Sequence, residues 1–456
     1  MKITEEVYAK SDKYLSEITQ GTRCATSCID LDPPSIEAVE GIYFDFNVFL
    51  RISFPDNGKK YYVSVIDTFK DILLDKVVID ETREYASKYT KYIPYKFTIK
   101  DENDECIFEH TLDLHNQEVV IIGSKAIGDS IAWMNSVDAF QKKHECKCIY
   151  LISPSMLSIF EKQYPNIIFD TNDNIDKYKP YATYSLGQTF RCYDNVFINY
   201  HNRGLHHIAS DFLGVETTEE PPTVDLSAKR KITGKYVVVC SSASGLQKLW
   251  HNIFGWVRVI NFLKHHGYRV ICIDQCPVTP NGVTWQSLPF GVEYDYVGNF
   301  PLQERIDIIK DADFFIGHAS GMSWLAWCCR VPVVMISGFS HPVSEFYTPY
   351  RVFSDYVCNS CWNDQAVNSL NTGVPSNCPR FHGTERQWEC SRTISSNYVI
   401  NVIKTIPTFK ERREHTSDEV VSIYPNIPHG NYFGYDFSKE LVNKVNCTQI
   451  NIEGDD

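Results

Sequence analysis

Twice along this chain a short apolar run gives way to a loop of small residues, then to a segment of helical period, then to another apolar run. That alternation is the mark of parallel strands joined by helices and covered on both faces. The first block, 117–215, opens on Val119-Val120-Ile121-Ile122 and predicts a helix from 130 to about 143. A strand over 147–152, a helix over 155–164 and a strand over 167–169 follow. The second block, 232–350, predicts strands at 236–240, 269–274, 313–316 and 331–337, with helices at 255–266, 302–311 and 322–329. Between them, 216–231 is rich in Thr, Glu and Pro and reads as a linker. The expected fold class is α/β, with two Rossmann-like lobes facing across a cleft. Ligands of such sheets bind beyond the carboxyl ends of the strands.

The flanks differ in texture. Residues 1–32 form a polar arm. Residues 33–116 read as a small β domain: 42–54 and 61–66 flank the turn Pro55-Asp56-Asn57-Gly58, and 92–99 and 106–112 flank Asp101-Glu102-Asn103-Asp104. A loop-rich stretch, 351–395, precedes a closing helix at 396–407. The extension 408–456 carries a charged stretch and then an aromatic one, and has no assigned role. The net charge of −13 argues against nucleic acid or an anionic membrane as partner. No run approaches the roughly 18 apolar residues of a membrane span, and the first residues lack a leader pattern. The expectation is a cytoplasmic protein.

Four segments carry candidate chemistry. Gly123-Ser124-Lys125-Ala126-Ile127-Gly128-Asp129 is a strand-to-helix turn that places Asp129 at a helix start. Asp129 is there a candidate base, and equally an ordinary cap residue. The spacing is not the dinucleotide fingerprint, which disfavours a nicotinamide oxidoreductase. The loop after 236–240 contains Lys248 and Trp250, and a lysine there can offset the charge of a departing diphosphate. The bland alternative is a solvated loop lysine. Gly317-His318-Ala319-Ser320-Gly321-Met322-Ser323 joins a strand to a helix, where free amides can cradle phosphate or merely form a tight turn.

The fourth segment is Cys358-x-x-Cys361, then Cys378 and Cys390, within loop residues. Four such thiolates can close a tetrahedral shell, with iron and zinc equally compatible. Among the sixteen cysteines, others such as Cys240 and Cys272 lie in apolar runs and read as small buried hydrophobes.

Together these segments resemble the bacterial autotransporter heptosyltransferases. The resemblance covers roughly 33–405 and rests on Gly123–Trp133 (GSKAIGDSIAW), 249–270, PLQERIDIIKDADFFIG at 301–317, 320–351, and the cysteine segment 358–392. It implies transfer of heptose from ADP-heptose to Ser or Thr hydroxyls of an autotransporter adhesin. The alternatives are a non-catalytic scaffold and a transferase using another sugar or acceptor. Asp129 matches the family's base and Lys248 its donor lysine. Gly123, Trp250, Gly317, Ser320, Gly321, Met322 and Ser323 become donor-side residues. Cys358, Cys361, Cys378 and Cys390 become ligands of one structural iron. The resemblance also implies lobes of the GT-B type, a four-cysteine metal finger expected to stand apart from the chemistry, and a ring-like dodecamer. No Asp-x-Asp is placed for a catalytic divalent ion, and Asp30-Leu31-Asp32 lies in the arm outside both lobes, so the chemistry is expected to need no metal. His318 departs from the family, standing where a small residue is expected beside the donor.

Overall fold

The computed structural model describes residues 33–190, 198–275, 288–367 and 378–409, and the backbone of 278–281 and 284–287. The expected arm at 1–32, nearly all of the extension and the middle of the cysteine segment fall outside them. The chain divides into two compact units at Pro222/Thr223, inside the expected linker.

The first unit contains β1 (Ile36–Glu37), β2 (Tyr43–Asn47), β3 (Arg51–Ser53), β4 (Tyr61–Asp67), β5 (Ile72–Ile79), β6 (Glu84–Ala86), β7 (Tyr95–Lys100) and β8 (Cys106–Thr111). There follow β9 (Glu118–Ile122), α1 (Ile127–His144), β10 (Lys147–Leu151), α2 (Pro154–Phe160), β11 (Ile167–Asp170), β12 (Ala182–Ser185) and α3 (Leu205–Leu213). Strands β11, β10, β9 and β12 lie side by side and parallel, as the alternation predicts. Val119, Val120 and Ile121 on β9 are fully buried, so helices must cover both faces.

The β region departs from expectation in two respects. It is not a sheet apart: β2 pairs in parallel with β12, which extends the first lobe's sheet through β3 and β6. The turn at 55–58 closes no hairpin, because β4 belongs to a second, antiparallel sheet ordered β5-β4-β7-β8. Alternation exposes one face per strand but carries no information on which strand pairs with which. The two sheets share an aromatic core in which Phe44 of β2 meets Phe97 of β7 edge-on at 5.2 Å. The expected pairing around 101–104 is present as β7 with β8.

The second unit contains β13 (Tyr236–Val239), α4 (Gly255–His265), β14 (Arg269–Cys272), the hairpin β15 (Val278–Asn281) and β16 (Thr284–Ser287), α5 (Leu302–Ile309), β17 (Phe315–His318), α6 (Gly321–Cys328), β18 (Val333–Ile336) and β19 (Arg351–Val352). Short α7 (Glu389–Arg392) and α8 (Ser396–Ile403) close it. Its five-stranded sheet is parallel throughout, ordered β14-β13-β17-β18-β19. Among the described residues, no helix is long and apolar enough to cross a membrane.

Strand order tells where each unit can bind. In the first, the chain steps from β9 to β10 and β11 on one side and returns to β12 on the other. In the second it steps from β13 to β14 and returns to β17. Loops diverge at such reversals and leave a crevice at the strands' carboxyl ends. Asp129 lies in the first turn of the helix after β9, Lys248 in the loop after β13, and Gly317–Ser323 runs from the end of β17 into the start of α6.

Trp133 is the keystone of the first unit, fully buried on α1 with its indole N–H donating to the Leu205 carbonyl at 3.1 Å. Trp133→Ala leaves a large cavity and removes the hydrogen bond to the Leu205 carbonyl. It is expected to cost about 3–5 kcal/mol of unfolding free energy, measured as a lower urea midpoint at unchanged slope.

Candidate functional site

In the first unit, α1 begins at Ile127 after Ala126, whose side chain offers no cap. Asp129 is therefore not the cap residue; it is the third helical residue, half-buried in the first turn. The Ser124 hydroxyl donates to Asp129 Oδ2 at 2.8 Å and accepts the Ala126 amide at 3.0 Å. The Ser130 hydroxyl ties the same loop through the Ser124 and Ala126 carbonyls. One carboxylate oxygen is thus steered by a serine while the helix amides favour its negative charge. Gly123 is explained by packing. A Cβ there would stand 2.8 Å from the Tyr150 ring, and its amide is already given to Leu151 at 2.8 Å.

In the second unit a buried carboxylate, missed in the sequence reading, organises the loop after β13. Asp274 follows β14 and is 1% exposed. It accepts the amides of Ser241 and Ser242, each at 2.9 Å, and the hydroxyls of both serines. The Cys240 and Cys272 thiols donate to it as well, at 3.0 and 3.3 Å. Burial pushes its pKa up, but this shell of thiol, hydroxyl and amide donors outweighs burial and holds it below the usual carboxylate range. Its only trace in the sequence is an acid at the end of an apolar strand.

From that anchor the loop runs to a single turn of 3-10 helix, Leu246–Lys248. Lys248 is partly exposed, and among the described residues its ammonium has no partner. Trp250 is 5% exposed, with its indole N–H given to the Ile394 carbonyl at 3.0 Å. The ring therefore belongs to the core beneath the loop.

The turn after β17 stands beside it. Gly317 is required where it is, since a Cβ would lie 2.6 Å from the Phe315 ring. Ser320 caps α6 by backbone alone, and the Ser323 hydroxyl donates inward to the His318 carbonyl at 2.5 Å. The amides of Gly321 and Met322, at the start of α6, have no acceptor among the described residues. Two amides at a helix start and an ammonium on the adjacent strand's loop, none with a partner among the described residues, are groups of the kind that bind an anion.

His318 does not face that site. It is fully buried and accepts the Trp250 amide on Nε2 at 3.0 Å, which requires the neutral ring with its proton on Nδ1. The residue thus pins the Lys248 loop to the Gly317 turn, and its size fills space between them. The expectation that it alters donor contacts directly gives way to this structural role.

The cysteine segment lies in the same unit. Cys361 and Cys378 are buried, while Cys358 and Cys390 are partly exposed. Ser360 and Trp388 adopt left-handed backbone, φ 58° and 56°, and turn the chain just before Cys361 and Cys390. Burial, and then the neighbouring thiols, push Cys361 and Cys390 each up to about 12. Thiols that raise one another in this way need a cation to ionise together, and four soft donors suit a thiophilic metal. Among the described residues, the cluster with donor atoms all within 4.8 Å is His206, His207 and Glu219, so the four sulfurs are gathered more loosely. In that cluster Glu219 bonds both imidazoles, at 3.1 and 2.9 Å, and fastens the chain after α3 to the helix.

Burial lowers His318 to about 4. An unfolded imidazole takes a proton near 6.5, which the folded one refuses until about pH 4. Stability from this group is complete above 6.5 and is lost as pH falls through that window, by at most about 3 kcal/mol. His318→Gln, which keeps a neutral acceptor, is expected to flatten that part of the acid limb in urea titrations at pH 4 to 7.

The profile of glycosyltransferase family 9 (heptosyltransferase) matches residues 204–372. Autotransporter heptosyltransferase Aah of Escherichia coli is 39% identical over 380 residues, which cover 82% of this chain and 96% of Aah. The crystal structure of dodecameric, iron-containing heptosyltransferase TibC in complex with ADP-D-beta-D-heptose superposes with a TM-score of 0.79 at 36% identity. That match covers 83% of this chain and 98% of TibC; TibC comes from E. coli O78:H11. The inactive autotransporter heptosyltransferase BimC of Burkholderia thailandensis is 32% identical over 396 residues, 85% of this chain and 91% of BimC. Identity at this level over nearly the whole of each relative shows that the chain belongs to the autotransporter heptosyltransferases, a branch of the family 9 glycosyltransferases.

Proposed function

We propose that the chain transfers heptose from ADP-heptose to Ser or Thr hydroxyls of an autotransporter adhesin. The observation that carries this is the anion site at the β13/β17 reversal, where Lys248 and the Gly321 and Met322 amides stand without partners among the described residues. The donor's diphosphate supplies the charge such a site wants, and the structure of the relative TibC was determined with ADP-heptose.

In this reading the acceptor oxygen attacks the anomeric carbon while the bond from that carbon to the diphosphate breaks. ADP leaves with the electron pair, and Lys248 with the helix amides offsets its charge. The hydroxyl proton passes to Asp129, which Ser124 orients. Direct displacement of this kind inverts the anomeric configuration. No step calls for a metal. Cys358, Cys361, Cys378 and Cys390 would hold one iron as a cross-link of the fold, as the iron-containing TibC suggests. The eleven cysteines of the described residues are all free, which suits a reducing, cytoplasmic setting. Assembly into a homo-oligomer, up to the dodecamer of TibC, belongs to the same proposal.

Incubation with ADP-heptose and a Ser/Thr-rich adhesin fragment is expected to add one heptose mass per site. Asp129→Asn should slow transfer about 10²–10⁴-fold, and Lys248→Ala about 10²–10³-fold. Full transfer by Asp129→Asn would remove the base assignment. A wild type that binds ADP-heptose but transfers nothing would place the chain beside the inactive BimC. Elemental analysis is expected to find about one iron per chain, lost in Cys361→Ser; zinc in its place would correct the metal.

A further inference from the structure

The metal finger was expected to stand apart from the chemistry, yet its closing segment lies directly against the loop that carries Lys248. Three consecutive residues of that loop are each bonded to residues 388–394. The Trp250 indole N–H donates to the Ile394 carbonyl at 3.0 Å. The His251 amide donates to the Ser391 hydroxyl at 3.3 Å. The Asn252 side-chain amide donates to the Ile394 carbonyl at 3.0 Å and reaches the Arg392 carbonyl at 3.4 Å. The His251 and Trp388 rings stack 3.9 Å apart at 5°. From the other side of its ring, His251 donates through Nε2 to the Leu246 carbonyl at 2.7 Å, closing the turn that ends at Lys248.

What holds 388–394 is the finger itself. Cys390 lies in α7, two residues after Trp388. The Cys358 amide donates to Glu389 Oε1 at 3.1 Å, joining the first cysteine pair to the last turn. The Cys390 backbone presses on Gly338, where a Cβ would stand 2.6 Å from the Cys390 carbonyl oxygen. Trp388 is kept in left-handed backbone, φ 56°, which is unfavourable for a residue other than glycine. Its indole N–H is buried without a hydrogen-bond partner among the described residues. Among the described residues the ring's aromatic contact is its stack on His251.

We infer that the finger sets the position of Lys248 through the His251–Trp388 joint, so that metal occupancy of the finger governs affinity for the nucleoside diphosphate. Trp388 and His251 act in this inference as positioning residues. The inference rests on the anion site proposed above and assigns its regulation to the finger.

The test uses the full-length, metal-loaded protein with ADP as probe, measured by titration calorimetry, together with metal content and melting temperature. Trp388→Ala and His251→Ala are each expected to weaken ADP binding about 10-fold with metal content and melting temperature near wild type. Trp388→Phe, which keeps a ring to stack, should recover most of the loss. In transfer assays the variants should raise KM for the donor more than they lower kcat. Removing the metal from wild type should weaken ADP by a similar factor, and removing it from His251→Ala should add little, because both act through one joint. Wild-type ADP affinity in folded Trp388→Ala and His251→Ala, or fully additive effects of metal removal and His251→Ala, overturns the inference. If wild type binds no ADP, or Lys248→Ala binds it equally well, the donor-site reading itself has failed, which is a different result.

Discussion

The second unit depends on one buried carboxylate. Asp274 sits where the crevice of its sheet opens and gathers two amides, two hydroxyls and two thiols onto itself. A carboxylate this deep is tolerable only when its oxygens are fully satisfied, and satisfying them forces the backbone at 240–242 into one path. The next residues then inherit their course, with Leu246–Lys248 turning above the strand end and Trp250 entering the core. His318 adds the cross-tie from β17, so the two loops flanking the reversal are joined. Both loops are thus held by buried groups, Asp274 and His318.

The first unit reaches a similar end by lighter means. Asp129 is oriented by Ser124 and by the helix that it begins, and Gly123 lets the preceding strand end pass close under Tyr150. Hydrogen bonds within a seven-residue loop suffice because the carboxylate is half-exposed and needs little compensation. The β region serves this unit by lengthening its sheet. With β2 paired to β12, the edge of the parallel sheet is covered, and the aromatic core around Phe44 and Phe97 joins it to the antiparallel sheet.

The cysteine segment has two aspects that must be read together. Its donor set suits a soft metal, and its final residues form a wall against which the Lys248 loop rests. An ion that cross-links a segment poor in secondary structure substitutes for the core such a segment cannot build. That the same segment bears on the donor loop makes the cross-link relevant to binding as well as to stability.

The residues by themselves determined the two parallel sheets, because strand and helix periods are local and repeat within a few residues. They determined the cysteine spacing, the strand-end positions of Asp129, Lys248 and Gly317–Ser323, and the division near 216–231 for the same reason. Resemblance of those spaced motifs was enough to reach the family. Only the tertiary structure decided that β2 joins the first sheet, since pairing between residues 46 and 182 leaves no mark near either. It turned His318 inward, moved Asp129 from cap to third helical position, revealed Asp274, and set Trp388 on His251. Each of these depends on what lies across space from a side chain, and burial of a polar group is settled by partners brought from distant parts of the chain.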